Sequence, residues 1–402
     1  MKFLKLDDIE NVHEKITNSD GRISSKTTIV PIENAHYKEL ACDIISSDNV
    51  PNFVRSTVDG YAVKSSDVNT ASDINPIFLT KIQDIEIGQA TDFEIANNQC
   101  AAIPTGAMLP KGADAALMIE YTEKFSDDNI AIYKGCAVGE NIVTVGEDVL
   151  KGDVVLKKGT LLKPKDIGVL AALGIANVLV YAPLTVTIIS TGDELVPIDE
   201  PNLPFGKVRD INTYALQAQM LERDFIIDST IVIKDQEELL KQALEKSKKT
   251  SDIVLVSGGS SKGEKDISAK IINMVANPGV CTHGLAISPG KPTIIGKDST
   301  TNTLFVGLPG HPKAAMLVLE ALLGNYHKIK IPATLTVNVA GALGKRTFLP
   351  CVVDNLDTYC VVTPILGKSG LIATLSAANG YFIIPRDTEG LYKGDIVWVY
   401  MF

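Results

Sequence analysis

The sequence is poor in the residues that form disulfide frameworks and metal clusters. Its 402 residues include six cysteines and five scattered histidines, and no two cysteines have the C-x-x-C spacing of a zinc or redox motif. This argues against a histidine-rich or zinc site. We therefore expect free thiols in a reducing compartment at Cys42, Cys100, Cys136, Cys281, Cys351 and Cys360.

Long hydrophobic runs and an excess of positive charge are also absent. Apolar runs such as residues 178–181 and 253–256 are far shorter than the ~20 residues of a membrane-spanning helix. The formal net charge of −10 argues against a nucleic-acid-binding protein, although a locally basic or amide-lined site can still hold a small anion. Asp7, Asp8 and Glu10 lie where a signal peptide is apolar, so a cytoplasmic location is expected.

The remaining composition is that of a globular protein. The chain is 45% hydrophobic and 21% charged, and its length suggests two to four domains. Helical spacing of apolar residues predicts short helices over residues 7–17 and 37–46, and residues 62–139 alternate short apolar stretches with turns, which predicts a β-rich module.

Residues 185–323 have a different pattern, in which apolar strands alternate with helices. We predict a parallel α/β sheet covered on both faces, because its strands are continuously apolar. Short strands return from residue 328 and predict a C-terminal β-rich module. The predicted strands cover residues 185–190, 225–233, 253–256 and 303–306, and the helices residues 212–223, 236–248, 267–275 and 313–323.

Three polar loops follow three of these strands, at residues 191–194, 257–266 and 307–312. Ligands of open α/β sheets bind beyond the carboxyl ends of the strands, so we expect the loops to converge on one crevice. The glycines of the second loop let backbone amides approach a phosphate closely, and the helix after it adds its dipole. These glycines are Gly258, Gly259 and Gly263.

Several charged residues in this region have both a functional and a structural interpretation. Asp266 is either a helix cap or a functional carboxylate, which would bind magnesium or position a water molecule. The pair Asp193 and Glu194 would repel a bare phosphate unless a divalent cation bound between them, but one of the two could cap a turn. Lys291, stiffened by prolines on either side, is a point charge for an oxyanion or part of a surface turn.

Further candidates lie in turns and at helix starts. The amide of Gly310, in Pro-Gly-His-Pro at 309–312, could face an anion, and Asn212 could be a helix cap. Asp59 and Thr105 lie far from the α/β region in sequence. Both belong to segments that are ordinary turns unless a partner subunit brings them to the crevice.

Taken together, these segments resemble the molybdopterin molybdenumtransferase family, which includes the E domain of gephyrin. Any one segment is a weak signal, but eight of them in the same order are specific. The matching segments are residues 56–63, 103–107, 146–148, 190–195, 210–212, 257–266, 289–292 and 307–312.

The resemblance implies a multidomain α/β plus β fold with an elongated subunit. Its parts are an N-terminal composite domain, an inserted β-rich domain, an α/β molybdopterin-binding domain and a C-terminal β-barrel. The implied bounds are 1–46 with 142–180, then 47–141, 181–327 and 328–402. It also implies a head-to-tail homodimer, with the active cleft between the α/β part of one subunit and the inserted part of the other.

The implied reaction is insertion of molybdate into adenylylated molybdopterin, with release of AMP and dependence on a divalent cation, usually Mg²⁺. The resemblance assigns the metal to Asp193, Glu194 and Asp266 and the catalytic roles to Asp59, Thr105, Glu194 and Asp266. It assigns substrate binding to Asp148, Asp210, Asn212, Ser257, Gly258, Gly259, Ser260, Gly263, Lys291, Pro309, Gly310 and His311.

Three positions depart from the family pattern. No arginine lies in residues 141–145, Ser288 stands where the family has a basic residue, and His311 stands where it has asparagine. Two lost cations should weaken the binding of an anionic substrate. Two other functions therefore stay open: the adenylylating step that precedes insertion, and a non-catalytic pterin-binding scaffold.

Overall fold

The computed structural model describes residues 6–18, 21–258, 264–323, 330–356, 359–366 and 376–402. Two compact units divide the chain, one formed by Met1–Lys26 with Ala182–Phe402 and the other by Thr27–Tyr181. The first helix, α1 (Ile9–Ile16), confirms the helical prediction for residues 7–17.

A six-stranded sheet and three two-stranded ladders form the unit Thr27–Tyr181. The sheet has the order β7-β4-β6-β5-β9-β8, and the ladders are β1-β12, β2-β11 and β3-β10. The elements are β1 (Thr27–Pro31), β2 (Ile44–Ile45), β3 (Arg55–Ser56), β4 (Gly60–Val63), α2 (Ser65–Val68), β5 (Ile77–Asp84), β6 (Gln99–Ile103), β7 (Ala115–Met118), β8 (Thr122–Lys124), β9 (Asn129–Ile132), β10 (Ile142–Val143), β11 (Val154–Leu156), α3 (Pro164–Ala172) and β12 (Asn177–Tyr181).

The helix predicted over residues 37–46 is wrong. Tyr37 has a positive φ of 59°, a conformation that ends a right-handed helix. Residues 39 and 40 form bridges to Leu161 and Val180, and Ile44–Ile45 is the strand β2. Tertiary pairing therefore determines this segment, whose apolar spacing alone favoured a helix.

The other unit contains the predicted α/β sheet. Its order is β16-β13-β17-β21-β20-β18, in which the first four strands run parallel, β20 pairs antiparallel with β21, and β18 pairs antiparallel with β20. The elements are β13 (Thr185–Thr191), β14 (Leu195–Val196), β15 (Val208–Arg209), α4 (Asn212–Leu221), β16 (Ile226–Ile233), α5 (Glu237–Ser247), β17 (Ile253–Gly258), α6 (Glu264–Val275), β18 (Pro278–His283), β19 (Ile287–Ser288), β20 (Ile294–Asp298), β21 (Thr303–Leu308) and α7 (Pro312–Leu323). The α/β prediction is confirmed, and the two antiparallel strands were not predicted.

Alternate residues of the sheet pack on opposite faces. In β17, Leu255 belongs to the core cluster that contains α1, α4 and α7, whereas Val254 and Val256 belong to the cluster that contains α5 and α6. All three are buried, which explains why this strand is apolar throughout. The expected composite domain included residues 1–46, but α1 packs in this unit through Ile9 and Val12.

The C-terminal strands close into a barrel, as expected. β24 pairs with β25 and β26, β22 pairs with β25 and β28, and β26 pairs with β28, so five strands form a ring. No helix of the described residues is long and apolar enough to cross a membrane. The strands are β22 (Lys330–Leu335), β23 (Val339–Ala340), β24 (Arg346–Leu356), β25 (Tyr359–Pro364), β26 (Gly380–Ile384), β27 (Gly390–Leu391) and β28 (Ile396–Met401).

A buried ion pair joins α4 to α7. Nη2 of Arg223, just after α4, lies 2.6 Å from Oε2 of Glu320, whose side chain is 3% exposed. Gln219 of α4 donates from Nε2 to Oε1 of Glu320 at 2.8 Å and to the carbonyl of Met316 at 3.0 Å. Removing one partner of such a pair leaves the other charge buried without compensation.

We expect Arg223→Met to lower the free energy of unfolding by about 3 kcal/mol, because Glu320 loses its counter-charge. The double variant Arg223→Met/Glu320→Leu should recover most of this loss. Lys270→Met is the control, since its ion pair with Glu237 is exposed and worth less than about 1 kcal/mol. Urea unfolding measures all three, and equal losses for Arg223→Met and Lys270→Met would contradict the expectation.

Candidate anion-binding site at the carboxyl edge of the sheet

The ends of three neighbouring strands bring the predicted loops together. Thr191 at the end of β13 pairs with Gly258 at the end of β17, and Ser257 pairs with Leu308 at the end of β21. We call the residues at and after these strand ends, 191–194, 257–258 and 308–312, the carboxyl edge. Their parallel pairing places all three segments side by side, as expected for a ligand site of an α/β sheet.

The side chain of Asn212 links two of these segments. As the first residue of α4, it donates from Nδ2 to Oγ of Ser257 at 2.7 Å and to the carbonyl of Gly310 at 2.8 Å. The capping role falls instead to Asp210, whose Oδ1 accepts the N–H of Thr213 at 3.1 Å. Asn212 therefore holds the ends of β17 and β21 in a fixed relation.

Two buried oxygens at this place have no hydrogen-bond partner among the described residues. They are Oδ2 of Asp210 and Oδ1 of Asn212. Buried polar atoms are nearly always paired in folded proteins, and a bound ligand or water is a common reason for an exception. These oxygens therefore mark the start of α4 as a part of the carboxyl edge that can accept donors from a ligand.

The close approach of two backbones explains why β17 ends in a glycine, Gly258. Its φ is +131°, and a Cβ built on it would lie 2.0 Å from the carbonyl oxygen of Thr191. Only glycine fits this close approach of two backbones. Ser257 before it is fully buried. Gly259, Ser260 and Gly263 lie outside the described residues.

The acidic pair Asp193 and Glu194 is exposed just after β13. The carboxylate of Glu194 folds over Gly192, where a Cβ would lie 2.7 Å from its Oε2. Lys207 donates from Nζ to the backbone carbonyl of Asp193 at 2.6 Å, which leaves both carboxylates without a hydrogen bond to any described residue. The pair is therefore available to a cation.

Asp266 does not precede its helix. α6 begins at Glu264, three residues earlier than predicted, so Asp266 is the third residue of the helix. Its side chain lies outside the described residues. Among the described residues, no cluster of three acidic, histidine or cysteine side chains forms a metal site.

The segment with Lys291 also reaches the carboxyl edge. A small cavity is lined jointly by Gly258, Pro292 and Gly307, among others. Lys291 itself is exposed, and the turn before it is rigid, because Thr293 donates from Oγ1 to the carbonyl of Gly290 at 2.7 Å. Lys291 can therefore present its charge to solvent beside the strand ends.

The turn after β21 combines buried and exposed residues. Pro309 is buried, Gly310 is half-buried and His311 is exposed. The carbonyl of His311 accepts the N–H of Ala315 at 2.9 Å, which makes this residue the start of α7. The turn thus leads directly into a helix N-terminus.

Sequence analysis did not identify the polar residues after β16. A surface crevice is lined by Thr191 and Ser268 together with Lys234, Asp235 and Glu237. The signal was present, since residues 234–237 follow a predicted strand just as the three loops do. A second missed residue is Lys313, which is buried at the start of α7 although lysine is rarely buried.

Asp59 and Thr105 meet in the unit Thr27–Tyr181. Oδ1 of Asp59 accepts the N–H of Thr105 at 2.7 Å, next to the ladder in which Gly60 pairs with Ile103. Asp148 is exposed in a different turn, where its N–H donates to the carbonyl of Val50 at 3.1 Å. The carboxylate of Asp59 therefore fixes the loop that carries Thr105.

The central part of the chain belongs to a known class of domain. Residues 187–328 match the model described as "Probable molybdopterin binding domain". Residues 7–174 match the MoeA N-terminal region (domain I and II), and residues 332–402 match the MoeA C-terminal region (domain IV).

Full-length relatives agree with these matches. The molybdopterin molybdenumtransferase of Haemophilus influenzae is 33% identical over 93% of this chain and 94% of its own length, and that of Bacillus subtilis is 31% identical over 93% and 89%. The solved structure of the molybdopterin biosynthesis MoeA protein of Pyrococcus horikoshii is 35% identical, covers 99% of both chains and has a TM-score of 0.82. The chain belongs to the MoeA family, which confirms the resemblance seen in the eight segments.

We expect Gly258→Ala to destabilise the protein by at least about 2 kcal/mol, since the new Cβ would meet the carbonyl of Thr191 in a strained conformation. Gly206→Ala is the matched control. Gly206 also has a positive φ of +82°, but a Cβ there meets nothing within 4 Å. Urea unfolding should show a cost of about 1 kcal/mol for the control, and equal costs would remove the close approach as the cause.

Proposed function

We propose that this protein inserts molybdenum into adenylylated molybdopterin, using molybdate as the second substrate and releasing AMP to form molybdenum cofactor. One observation carries the proposal: the carboxyl edge joins an acidic pair, a glycine turn and a helix start in a chain whose full-length relatives are named molybdopterin molybdenumtransferase. The cytoplasmic location expected from the sequence is part of this proposal.

In this proposal the glycine turn binds phosphate. Ser257 and Gly258 end a buried strand, and α6, which begins at Glu264, carries the positive end of its helix dipole at its N-terminus. Gly258 lets the backbone approach closely, and Asn212 holds Ser257 in place. The segment with Gly259, Ser260 and Gly263 belongs to this phosphate site by the resemblance.

The acidic pair suits a divalent cation by its chemistry. Mg²⁺ is commonly bound through one or two carboxylates and the phosphates of a substrate, and it keeps several waters. Asp193 and Glu194 are exposed carboxylates without a described partner, so they fit such an ion, and the resemblance adds Asp266 as a third ligand. When bound, Mg²⁺ would neutralise charge at the phosphoanhydride.

Different residues of the chain then bind different parts of the substrates. The glycine turn fixes the phosphates, and Glu194 and Asp266 orient the anhydride bond that breaks when AMP leaves. Lys291 and the turn at Pro309, Gly310 and His311 attract the oxyanion. Positioned charges of this kind stabilise developing charge without reorganising at the moment of reaction. The buried oxygens of Asp210 and Asn212 accept hydrogen bonds from the substrate.

The proposal includes a homodimer in which each cleft receives Asp59, Thr105 and Asp148 from the partner subunit. Its support in this chain is the hydrogen bond from Thr105 to Asp59, which gives the loop one defined conformation. A rigid loop with a carboxylate and a hydroxyl is suited to positioning a substrate, because ordering it on binding costs little further entropy. In this arrangement the loop of one subunit acts at the cleft of its partner.

The direct test is AMP release from adenylylated molybdopterin with Mg²⁺ and molybdate. We expect Glu194→Gln and Asp266→Ala to lower the rate at least about a hundredfold, because each loses charge at the reacting bond. Glu245→Gln, an exposed residue of α5, is the charge-matched control for the first and should be unaffected.

Unchanged AMP release by Asp266→Ala would remove Asp266 from the mechanism. Incorporation of AMP from ATP into molybdopterin, without its release, would identify the adenylylating enzyme instead. Pterin binding with neither activity, together with failure to restore molybdoenzymes in a strain that lacks the transferase, would identify a scaffold.

The shared cleft predicts complementation between inactive variants. In a mixture of Asp59→Ala and Glu194→Ala subunits, half of the randomly formed dimers are mixed, and each of these has one cleft with no substitution. We therefore expect about a quarter of the wild-type activity, although each variant alone is inactive. Mixing Asp59→Ala with Thr105→Ala is the control, because both substitutions fall on the same side of the cleft. Activity that stays at the level of the separate variants would contradict the shared cleft.

A further inference from the structure

Lys313 is a lysine with a buried side chain and no counter-ion among the described residues. It is the second residue of α7, and it is only 4% exposed. None of the hydrogen bonds or ion pairs of the described residues involves its ammonium group, and the first turn of α7 contains no acidic residue. Desolvation lowers the pKa of Lys313, and no charged neighbour counteracts this shift.

Its position in the fold follows from the contacts between α4 and α7. Asn212 at the start of α4 contacts Gly310 just before α7, and Gln219 one to two turns later contacts Met316 and Glu320. The two helices therefore run side by side in the same direction. Lys313 precedes Glu320 by two helical turns, which places it on the face of α7 that packs against α4.

The direction of the side chain follows from helix geometry. In an α-helix the Cα–Cβ bonds tilt toward the N-terminus, so long side chains lean over the preceding turn. The stem of Lys313 therefore leads toward Gly310 and Asn212, at the carboxyl edge. The stem of Lys313 is buried, but its Nζ is not among the fully buried polar atoms that lack a partner, so the ammonium reaches the surface of the fold, where a ligand can meet it.

Two further features favour an anion at this place. The N-terminus of α7 carries the positive end of a helix dipole and unpaired backbone N–H groups. Oδ1 of Asn212 is buried without a partner, so it can accept a hydrogen bond from a protonated oxyanion or from a water that an anion orders. The cation of Lys313, the dipole of α7 and the acceptor of Asn212 therefore lie at the same end of the pair of helices α4 and α7.

We propose that Lys313 is an anion-binding residue that holds a tetrahedral oxyanion of the substrates at the start of α7. The inference rests on the proposed function and deepens it, because it adds a buried cation to the exposed Lys291. Molybdate and a substrate phosphate share the required shape and charge. The ammonium supplies a charge-assisted hydrogen bond, which is stronger than a bond between neutral groups.

Isothermal titration of the full-length protein with molybdate, and separately with inorganic phosphate, tests this. We expect Lys313→Met to weaken binding of the preferred oxyanion about tenfold to a hundredfold, and Lys313→Arg to restore most of it. Lys246→Met removes the same charge from an exposed position in the last turn of α5 and should bind as the wild type does. Tighter binding of molybdate than of phosphate identifies the metal substrate as the ligand, and the reverse identifies the nucleotide phosphate.

Thermal unfolding separates binding from folding. Without an oxyanion, Lys313→Met should be at least as stable as the wild type, because methionine fills the buried space without a charge. Molybdate should stabilise the wild type and leave the variant unchanged. A variant that binds as tightly as the wild type, or a wild type that binds neither oxyanion, would overturn the inference.

Two arms keep the test decisive. If Lys313→Met does not fold, reductive methylation with ¹³C in the wild type gives a signal for Lys313, which must shift when the oxyanion is added; an unmoved signal overturns the inference. Binding that depends on Lys313 without AMP release would count against the proposed function alone. AMP release with an unchanged KM for molybdate and for the pterin substrate in Lys313→Met would count against Lys313 alone.

Discussion

The parallel pairing of β13, β17 and β21 is the constraint on which the site depends. These strands are buried on both faces, so polar residues that follow them can reach solvent only at the carboxyl edge. The pairs Thr191 with Gly258 and Ser257 with Leu308 align the strand ends. The amide of Asn212 then fastens the end of β17 to the turn after β21. The register of the three strands and the side chain of Asn212 therefore hold the three loops together as one surface.

Sequence analysis predicted the strands and helices of the α/β unit because each has a strong apolar period, and it predicted the carboxyl edge because polar loops follow those strands. It missed what depends on partners distant in the chain. The antiparallel strands β18 and β20 lack a distinctive pattern, and the helix predicted over residues 37–46 is overridden by bridges to Leu161 and Val180. The burial of Lys313 cannot be predicted from the sequence either, because it depends on tertiary packing.

Helix α7 contains two buried charged residues, Glu320 and Lys313, whose surroundings differ. Glu320 is paired with Arg223 and accepts a further hydrogen bond from Gln219, so the fold compensates its burial completely. Asp298 is likewise buried, and Lys248 and neighbouring hydroxyl groups compensate it. Lys313 lies on the same face as Glu320 but receives nothing comparable. Among the described residues, Oδ2 of Asp210 at the start of α4 also lacks a partner, so both uncompensated charged groups lie at the end of this helix pair that faces the carboxyl edge.

The carboxyl edge thereby separates charges of opposite sign. The acidic pair follows β13, and Lys313 follows β21, with β17 and its glycine turn between them. Neighbouring strands lie about 4.8 Å apart, so the backbones of β13 and β21 are about 10 Å from each other. This separation is what the proposed function requires, since it calls for a cation beside the acidic pair and an oxyanion beside the lysine. Since Ser288 supplies no charge beside Lys291, a lysine within the helix is a physically sound source of the second cation.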